Sequence, residues 1–318
     1  MDFTNQSEVT EFILVGFPNI PQLEMLLFFV FAAMYLWTIT ANAIIILVVR
    51  LDHHLHTPMY FFICNLSVLE ICYTTVTTPK LMANFLMRSK MISLYGCIVQ
   101  FYLFFSLGST QCLLLAVMAF DRYLAICNPL RYNAVMTQRT CTWAAFCSWG
   151  TGFLTMLVPG VLVLHLSFCG SNTINHFFCD ADPLLKRSCT ETRLIEVLNF
   201  ILALIIVLSS FTLTMVSYIY IISTVMKIPR SRGRGKAFST CSSHLTIVVI
   251  FYTTVMFMYI RPRARYSDMN KVVSVFYSVV TPLLNPFIYT LRNKDVKEAI
   301  NKLVRYDTFC QNLYEKRQ

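Results

Sequence analysis

The segment that decides the fold of this chain is Met118–Tyr132, which reads MAFDRYLAICNPLRY. It ends a long apolar run and places Asp121 and Arg122 side by side at the polar end of that run. A charged pair at the boundary of a membrane-spanning helix is costly, so its presence indicates a functional role. The alternative is an arginine that only extends its charged end towards the membrane surface. The segment therefore predicts a membrane helix whose end carries either a switching or an anchoring arginine.

The composition of the whole chain is that of a membrane protein. Hydrophobic residues make up 56% of the sequence and charged residues 13%. A soluble domain is usually about 45–50% apolar and about 25% charged. Uncharged runs such as Met25–Val49 exceed the roughly 20 residues that are needed to cross a bilayer.

The net charge of +10 indicates orientation rather than a nucleic-acid partner. Of the 26 Lys and Arg residues, 16 lie in segments on one predicted side of the membrane, and positive residues in short loops stay cytoplasmic. The first 22 residues contain no Lys or Arg and lack the cationic start of a cleavable signal peptide. We expect residues 1–22 to form an extracellular tail, in which Asn5 begins a glycosylation tripeptide, Asn-Gln-Ser.

Apolar runs of helical length predict the spans of the membrane domain. They fall at 23–50, 58–86, 94–128, 141–165, 195–226, 238–261 and 271–291. Lipid permits only helices or closed barrels, and the alternating ten-residue segments of a barrel are absent from the sequence. The predicted fold is an all-α membrane protein, a seven-transmembrane helix bundle over residues 23–291. Residues 292–318 are the predicted cytoplasmic tail, beginning with a short amphipathic helix on the inner leaflet.

Five motifs in chain order carry a family resemblance. Beside the opening segment, the chain reads LHTPMYFF at Leu55–Phe62, NLSVLEIC at Asn65–Cys72, KAFSTCSSHL at Lys236–Leu245 and PLLNPFIY at Pro282–Tyr289. Over nearly the whole chain, they resemble the olfactory receptor branch of the rhodopsin-like (class A) G-protein-coupled receptors. The resemblance implies an odorant receptor of the plasma membrane and olfactory cilia. Its implied partners are a small-molecule odorant, membrane lipid and a stimulatory heterotrimeric G protein that raises cAMP.

The same resemblance implies a switch at the cytoplasmic end of the bundle. Asp121 would hold Arg122 at rest and release it when the helices separate. Pro286 removes a backbone hydrogen bond and kinks the last helix, Asn285 can bond the freed carbonyls, and Tyr289 moves inward. A plain proline kink is the alternative interpretation. The residues assigned to this switch are Asp121, Arg122, Tyr123, Tyr218, Asn285, Pro286 and Tyr289.

Glu70 is the lone acid in the core of the predicted bilayer. An ionisable residue at that depth predicts a functional site. The family usually has Asp here and a Glu on the third helix, where this chain has Gln111. Two interpretations remain open, a sodium pocket formed by Glu70, Gln111 and Asn285, or a neutral, hydrogen-bonded Glu70.

Four cysteines fall in predicted extracellular segments, where disulfides persist. They are Cys97, Cys169, Cys179 and Cys189, and the sequence alone allows three pairings. The family resemblance implies the pairs Cys97–Cys179 and Cys169–Cys189. His176 and Cys179 also have a spacing seen in metal sites, but oxidation of Cys179 would remove that thiolate. No metal site and no cofactor is predicted.

A ligand site is predicted in the outer half of the bundle. Counting from Arg122 along the third helix in steps of three and four gives one inward stripe. The stripe consists of Phe101, Phe104, Phe105, Gly108, Ser109, Gln111 and Cys112, and all of these except Gln111 are assigned to the ligand. Helical facing and resemblance add Phe200, Ala203, Val207, Met256, Tyr259, Ser274, Val275 and Ser278 from the last three helices. Mostly aromatic walls, with Ser109 and Tyr259 as polar contacts, predict a small, largely neutral and volatile ligand.

Residues that the chain lacks narrow the function. No Lys lies between Val272 and Leu291, which excludes a retinal Schiff base, and Phe104 stands where aminergic receptors have Asp. No Ser/His/Asp, metal-binding or phosphate-binding group of an enzyme is present in the sequence. Two alternatives remain, an ion or proton carrier that uses Glu70, and a receptor of the same family that works outside the nose. The carrier is disfavoured because the sequence shows no internal repeat.

Overall fold

The computed structural model describes residues 9–18, 20–87, 90–227, 234–259, 268–292 and 296–302. Its helices, in chain order, are α1 (Pro21–Leu51), α2 (Pro58–Leu86), α3 (Leu94–Cys127), α4 (Pro129–Val135), α5 (Gln138–Leu164), α6 (Ala181–Leu185), α7 (Arg193–Lys227), α8 (Arg234–Tyr259), α9 (Asp268–Val275), α10 (Thr281–Arg292) and α11 (296–302). A 3₁₀ turn, His53–Leu55, follows α1, and one π-helical turn, Phe276–Val280, joins α9 to α10.

Five of these helices, α1, α2, α3, α5 and α7, are long and apolar enough to cross a membrane. Shorter apolar stretches occupy His244–Phe257 in α8 and Val273–Pro286 across α9 and α10. Many large apolar side chains, such as Phe29 on α1 and Leu154 on α5, are exposed on the outside of the bundle. A soluble protein avoids such a surface, whereas lipid solvates it. The chain is therefore a helical membrane protein, as its composition predicted.

Local sequence signals explain where several helices begin. Proline is the first residue of α1, α2 and α4, a position where its missing N–H would have no helical partner anyway. The Ser93 side chain caps α3 by accepting a hydrogen bond from the Gly96 N–H at 3.1 Å. Thr137 caps α5 in the same way, through the Thr140 N–H at 3.2 Å.

Helix α3 is the centre of the bundle and packs against α2, α5, α7 and α8. Its approach to α5 is so close that only glycine fits at position 152. A Cβ atom added to Gly152 would lie 2.8 Å from both the Ser106 carbonyl oxygen and the Thr110 backbone nitrogen. Because those two atoms belong to the backbone of α3, they cannot move aside cheaply. Gly152 therefore holds α3 and α5 in direct backbone contact.

A three-stranded sheet lies at the end of the bundle where α3 begins, and the helical prediction missed it. Strand β1 (Glu11–Leu14) pairs antiparallel with β2 (Met91–Ser93) and parallel with β3 (Thr173–Ile174). Phe12 and Leu14 point inward from β1 and are buried. Strands of two to four residues are too short for a readable alternation in the sequence. The sheet joins part of the predicted N-terminal tail to the loops that precede α3 and α7.

Candidate functional site

A cavity of about 520 Å³ lies in the half of the bundle nearest the sheet. Its volume is within the range of small-molecule sites, roughly 300–1,000 Å³. Nine of the residues that the sequence assigned to a ligand line it. They are Phe101, Phe104, Phe105, Gly108, Ser109 and Cys112 on α3, and Phe200, Ala203 and Val207 on α7. The structure thus brings the α3 stripe and the α7 residues together around one space.

Four other residues expected at the ligand do not line this cavity, namely Met256, Ser274, Val275 and Ser278. The Ser278 hydroxyl donates to the Ser274 carbonyl at 2.6 Å. The loop residue Phe178 packs its ring on Phe104 with centroids 4.5 Å apart, and Tyr277, in the π turn, packs on the same ring at 5.7 Å. The Tyr259 side chain, the other polar contact expected from the sequence, lies outside the described residues.

Sequence reasoning missed about half of the cavity wall. The additional lining residues are Tyr73, Met156, Ala181, Asp182, Leu185, Glu196, Val197, Asn199, Ile206, Phe251, Val255 and Tyr277. Extending the helical period of Phe200, Ala203 and Val207 along α7 would have found Glu196, Asn199 and Ile206. The α6 residues had no such signal, since that helix is a five-residue element inside a loop.

Two disulfides fasten this loop, with the pairing that the family resemblance implied. Cys97 at the start of α3 is bonded to Cys179, with Cα atoms 5.4 Å apart, and Cys169 is bonded to Cys189. The side-chain oxygen Oε1 of Gln100 also accepts a hydrogen bond from the Cys179 N–H at 3.0 Å. Because Cys179 is oxidised, it has no thiolate to offer a metal.

His176 is a buried residue of this loop and lies against α9. Its Nε2 lies 3.3 Å from the Ser274 hydroxyl, and the Asp180 carboxylate is 4.0 Å away. Lys271, on α9, donates to the neighbouring Asn175 side chain at 2.7 Å. Burial and the positive charge of Lys271 lower the pKa of His176 to about 3, so the ring is neutral at physiological pH.

Acidification should therefore destabilise the folded protein through His176. Between pH 6.5 and pH 3 the unfolded chain binds a proton at this residue that the folded chain excludes, so stability falls as pH falls through that window. On going from pH 7 to pH 5, we expect a loss of about 2 kcal/mol from this ring. Thermal unfolding of the purified protein and of a His176→Asn variant at both pH values measures it. Equal pH dependence in the two proteins would contradict the prediction.

The charged pair at the C-terminal end of α3 is in direct contact. A guanidinium nitrogen of Arg122 lies 2.7 Å from one oxygen of the Asp121 carboxylate, which is only 1% exposed. The Tyr132 hydroxyl, on α4, donates to the other oxygen at 2.8 Å. Burial and the Asp121 charge raise the pKa of Tyr132, so its hydroxyl keeps its proton. Both carboxylate oxygens are thus occupied, and Arg122 is held against its own helix.

Tyr218 forms a second contact close to this pair. Its hydroxyl lies 2.5 Å from Nδ1 of His244, and both side chains are buried between α7 and α8. His244 Nε2 has no hydrogen-bond partner in the part of the chain that the structure describes. Tyr123 accepts a hydrogen bond from the Asn128 amide at 3.2 Å. His244 was missed, although it stands in the KAFSTCSSHL motif.

Glu70, Gln111 and Asn285 meet in the interior of the bundle. The Gln111 amide donates to Oε1 of Glu70 at 2.9 Å, and the Asn285 amide donates to the same oxygen. The other oxygen, Oε2, is buried without a partner among the described residues. The expectation that Asn285 bonds carbonyls freed by Pro286 is therefore wrong. The Asn285 amide is bonded instead to the Glu70 carboxyl group across the bundle.

The last long helix departs from regularity one turn before Pro286. The π turn Phe276–Val280 widens the helix there, and the Thr281 hydroxyl donates to the Phe276 carbonyl at 3.1 Å. Such turns relax the backbone hydrogen-bond pattern and often mark functional positions. The Tyr289 side chain and Asn5 lie outside the described residues, so the roles assigned to them stay predictions.

The known proteins that are similar to this chain are olfactory receptors. The family model for the olfactory receptor matches residues 31–306. Olfactory receptor 287 of Rattus norvegicus is 51% identical over 302 residues, covering 95% of this chain and 97% of that protein. Olfactory receptor 6B9 of Mus musculus is 48% identical, with 94% and 95% covered. Olfactory receptor 6F1 of Homo sapiens is 49% identical, with 95% and 98% covered.

Proposed function

Because this chain belongs to the olfactory receptor family, we propose that it binds a small, largely neutral odorant in the cavity and activates a stimulatory G protein that raises cAMP. The observation that carries the proposal is that the cavity wall and the Asp121–Arg122 pair lie on one helix. Cys112, the innermost lining residue of α3, precedes Asp121 by nine residues, or about 14 Å of helix. A ligand that shifts α3 therefore also acts on the pair.

The topology that supports this function is a seven-helix bundle. Helix α8 would be the sixth span, and α9, the π turn and α10 would together be the seventh. The positive charge of the segments after α3, α7 and α10 favours their cytoplasmic placement, with the N-terminus outside. The receptor would then work in the plasma membrane, in the cilia of olfactory sensory neurons.

At rest, two contacts would keep this end of the bundle closed. Asp121 binds Arg122, while the Tyr218–His244 contact joins α7 to α8. An odorant that binds better when these contacts are open would shift the population towards the open form. Opening would expose Arg122 to the G protein, as Asp121 keeps its second hydrogen bond to Tyr132. Glu70, bonded to α3 through Gln111 and to α10 through Asn285, couples the two helices between cavity and switch.

Helix α4 offers a surface for the G protein. Leu130 is 98% exposed there, eight residues beyond Arg122 in sequence, and it is flanked by Arg131. An almost fully exposed leucine on a basic cytoplasmic surface suits an apolar anchor that enters a pocket of the partner. Because the side chain touches little of its own protein, its replacement tests docking rather than folding.

In the Leu130→Asp receptor, the odorant concentration that gives a half-maximal cAMP response should rise at least about tenfold, or the maximal response should fall by a similar factor. Surface expression and odorant binding should stay at the wild-type level. The matched control is Leu130→Met, which keeps an apolar side chain and should signal normally. A Leu130→Asp receptor that signals as well as the control would show that this leucine is not part of the G-protein contact.

The whole proposal is tested by a cAMP assay in cells that express the full chain, screened against a panel of odorants. Support is a concentration-dependent rise that is absent from cells without the receptor. The carrier alternative predicts something different, a current or pH flux that Glu70→Gln abolishes and that needs no G protein. A flux of that kind without any cAMP response would overturn the receptor proposal.

A further inference from the structure

One polar side chain in the cavity is left unmatched by the protein. Asn199, on α7, lines the cavity, and its amide Nδ2 and Oδ1 are both buried. Neither atom has a hydrogen-bond partner among the residues that the structure describes. Buried amides are nearly always paired, because they have lost their hydrogen bonds to water. An unpaired donor and acceptor at the wall of an open cavity therefore indicate a ligand group that pairs with both.

We infer that Asn199 is the polar anchor of the odorant and that the cavity prefers alcohols. This inference rests on the proposed function, since it takes the cavity as the ligand site. A hydroxyl group accepts a hydrogen bond from Nδ2 and donates one to Oδ1. It does so whichever way the amide is turned. An ether, ester, aldehyde or ketone only accepts and leaves Oδ1 unpaired, while a hydrocarbon leaves both atoms unpaired.

The charges around the cavity narrow the ligand further. Asp182 and Glu196 also line it, and no Lys, Arg or His side chain is among its described lining residues. A carboxylate ligand would be repelled by these two acids. A protonated amine would be attracted, yet it only donates and would leave Nδ2 of Asn199 unpaired. Glu196 moreover already accepts a hydrogen bond from Thr192 at 2.8 Å.

The depth of Asn199 sets how the ligand lies. Asn199 is six residues into α7, about 9 Å from its outer end. Ser109 is fifteen residues into α3, about 22 Å from the outer end of that helix. The hydroxyl would therefore sit in the outer part of the cavity, and the apolar body would extend inward along Phe105 and Val207 towards Ser109.

The test compares compounds that share a carbon skeleton and differ in one group. Each set contains the primary alcohol, its methyl ether, the parent hydrocarbon and the carboxylate, on octyl, cyclohexylmethyl and phenylethyl skeletons. The purified full-length receptor reports binding as a ligand-induced rise in Tm, without any G protein. The alcohol of the best-binding set should bind at least about tenfold more tightly than its ether, because only the alcohol satisfies both amide atoms.

Two variants separate the anchor from the rest of the wall. Asn199→Leu keeps the approximate size of the side chain and should reduce the difference between alcohol and ether to about twofold or less. Phe200→Leu, a neighbouring apolar lining residue, should change the binding of alcohol and ether by the same factor. If Asn199→Leu does not fold, the comparison of alcohol with ether on the wild-type protein still decides.

Three results would overturn the inference, namely equal binding of alcohol and ether, an unchanged preference in folded Asn199→Leu, or no binding by any set. The proposed function fails separately. If alcohols raise Tm with the expected preference but evoke no cAMP, the role of Asn199 as the anchor is supported and the proposed coupling to a stimulatory G protein is refuted. If ethers and alcohols evoke cAMP equally, the odorant-receptor function is supported and the role of Asn199 as the anchor is refuted.

Discussion

Cells that express the Arg122→Ala variant are expected to show no odorant-evoked rise in cAMP, although the odorant still binds. Opening would release the guanidinium of Arg122 to the G protein. The methyl group of Ala has neither a charge nor a hydrogen-bond donor. The loss of one charged hydrogen-bonding group from an interface costs about 2–5 kcal/mol, so coupling should fall by well over tenfold. The measurement is cAMP at saturating odorant, normalised to receptor at the cell surface.

The partner of Arg122 provides the matched variant. Asp121→Asn removes the charge that holds Arg122 at 2.7 Å but keeps the shape of the side chain. Basal cAMP should therefore rise without odorant, the opposite sign to Arg122→Ala. Odorant binding, measured by the rise in Tm, should survive in both. Wild-type signalling by Arg122→Ala would refute the switch.

Loss of the Cys97–Cys179 disulfide is expected to remove most folded receptor from the cell surface. This bond closes a loop across 82 residues of sequence and fixes the segment whose Phe178 packs on Phe104. Native disulfides typically contribute about 2–5 kcal/mol, a large part of the stability of a domain. The expected result for Cys97→Ser is a markedly lower Tm and little surface expression.

The double variant Cys97→Ser/Cys179→Ser sharpens this test. Because both single changes break the same bond, the double variant should be no worse than either single one. Cys147→Ser serves as the control, since Cys147 is a free cysteine on the exposed side of α5. A Cys97→Ser receptor with the Tm and surface level of this control would show that the bond does not hold the loop.

The sequence predicts those parts of the site whose residues follow the helical repeat of a single helix. The stripe from Phe101 to Cys112 follows from the helical repeat, and the structure gathers all six of its lining residues around one cavity. The same repeat would have found Asn199 on α7, had it been continued one turn outward from Ala203. Amphipathic periodicity in helices is thus sufficient for the part of the wall that helices supply.

Long-range contacts set the rest and leave no local trace. Ser274 faces His176 across 98 positions of sequence, so its hydroxyl is in contact with a loop residue instead of the cavity. The Asn285 amide serves Glu70, which is 215 positions away, instead of its own helix. The sequence predicts the backbone hydrogen bond that is lost at Pro286. It does not predict that Glu70 accepts from Asn285, because packing of the helices brings these two residues together.

The close approach at Gly152 has a consequence for signalling. Helices α3 and α5 touch through backbone atoms there, and the nearest side chain, that of Thr110, is short and hydrogen-bonded to its own helix, so little can absorb a displacement. They should therefore move as one rigid half of the receptor, and signalling would be a sliding of the other half over it. The joint between the halves would run along α7 and α8, where one hydroxyl-to-imidazole contact joins the two helices beside Arg122. An odorant in the cavity would contact α3 and α7 on one side of that joint and α8, through Phe251 and Val255, on the other, so it would act as a wedge or a clasp rather than as a push on a single helix.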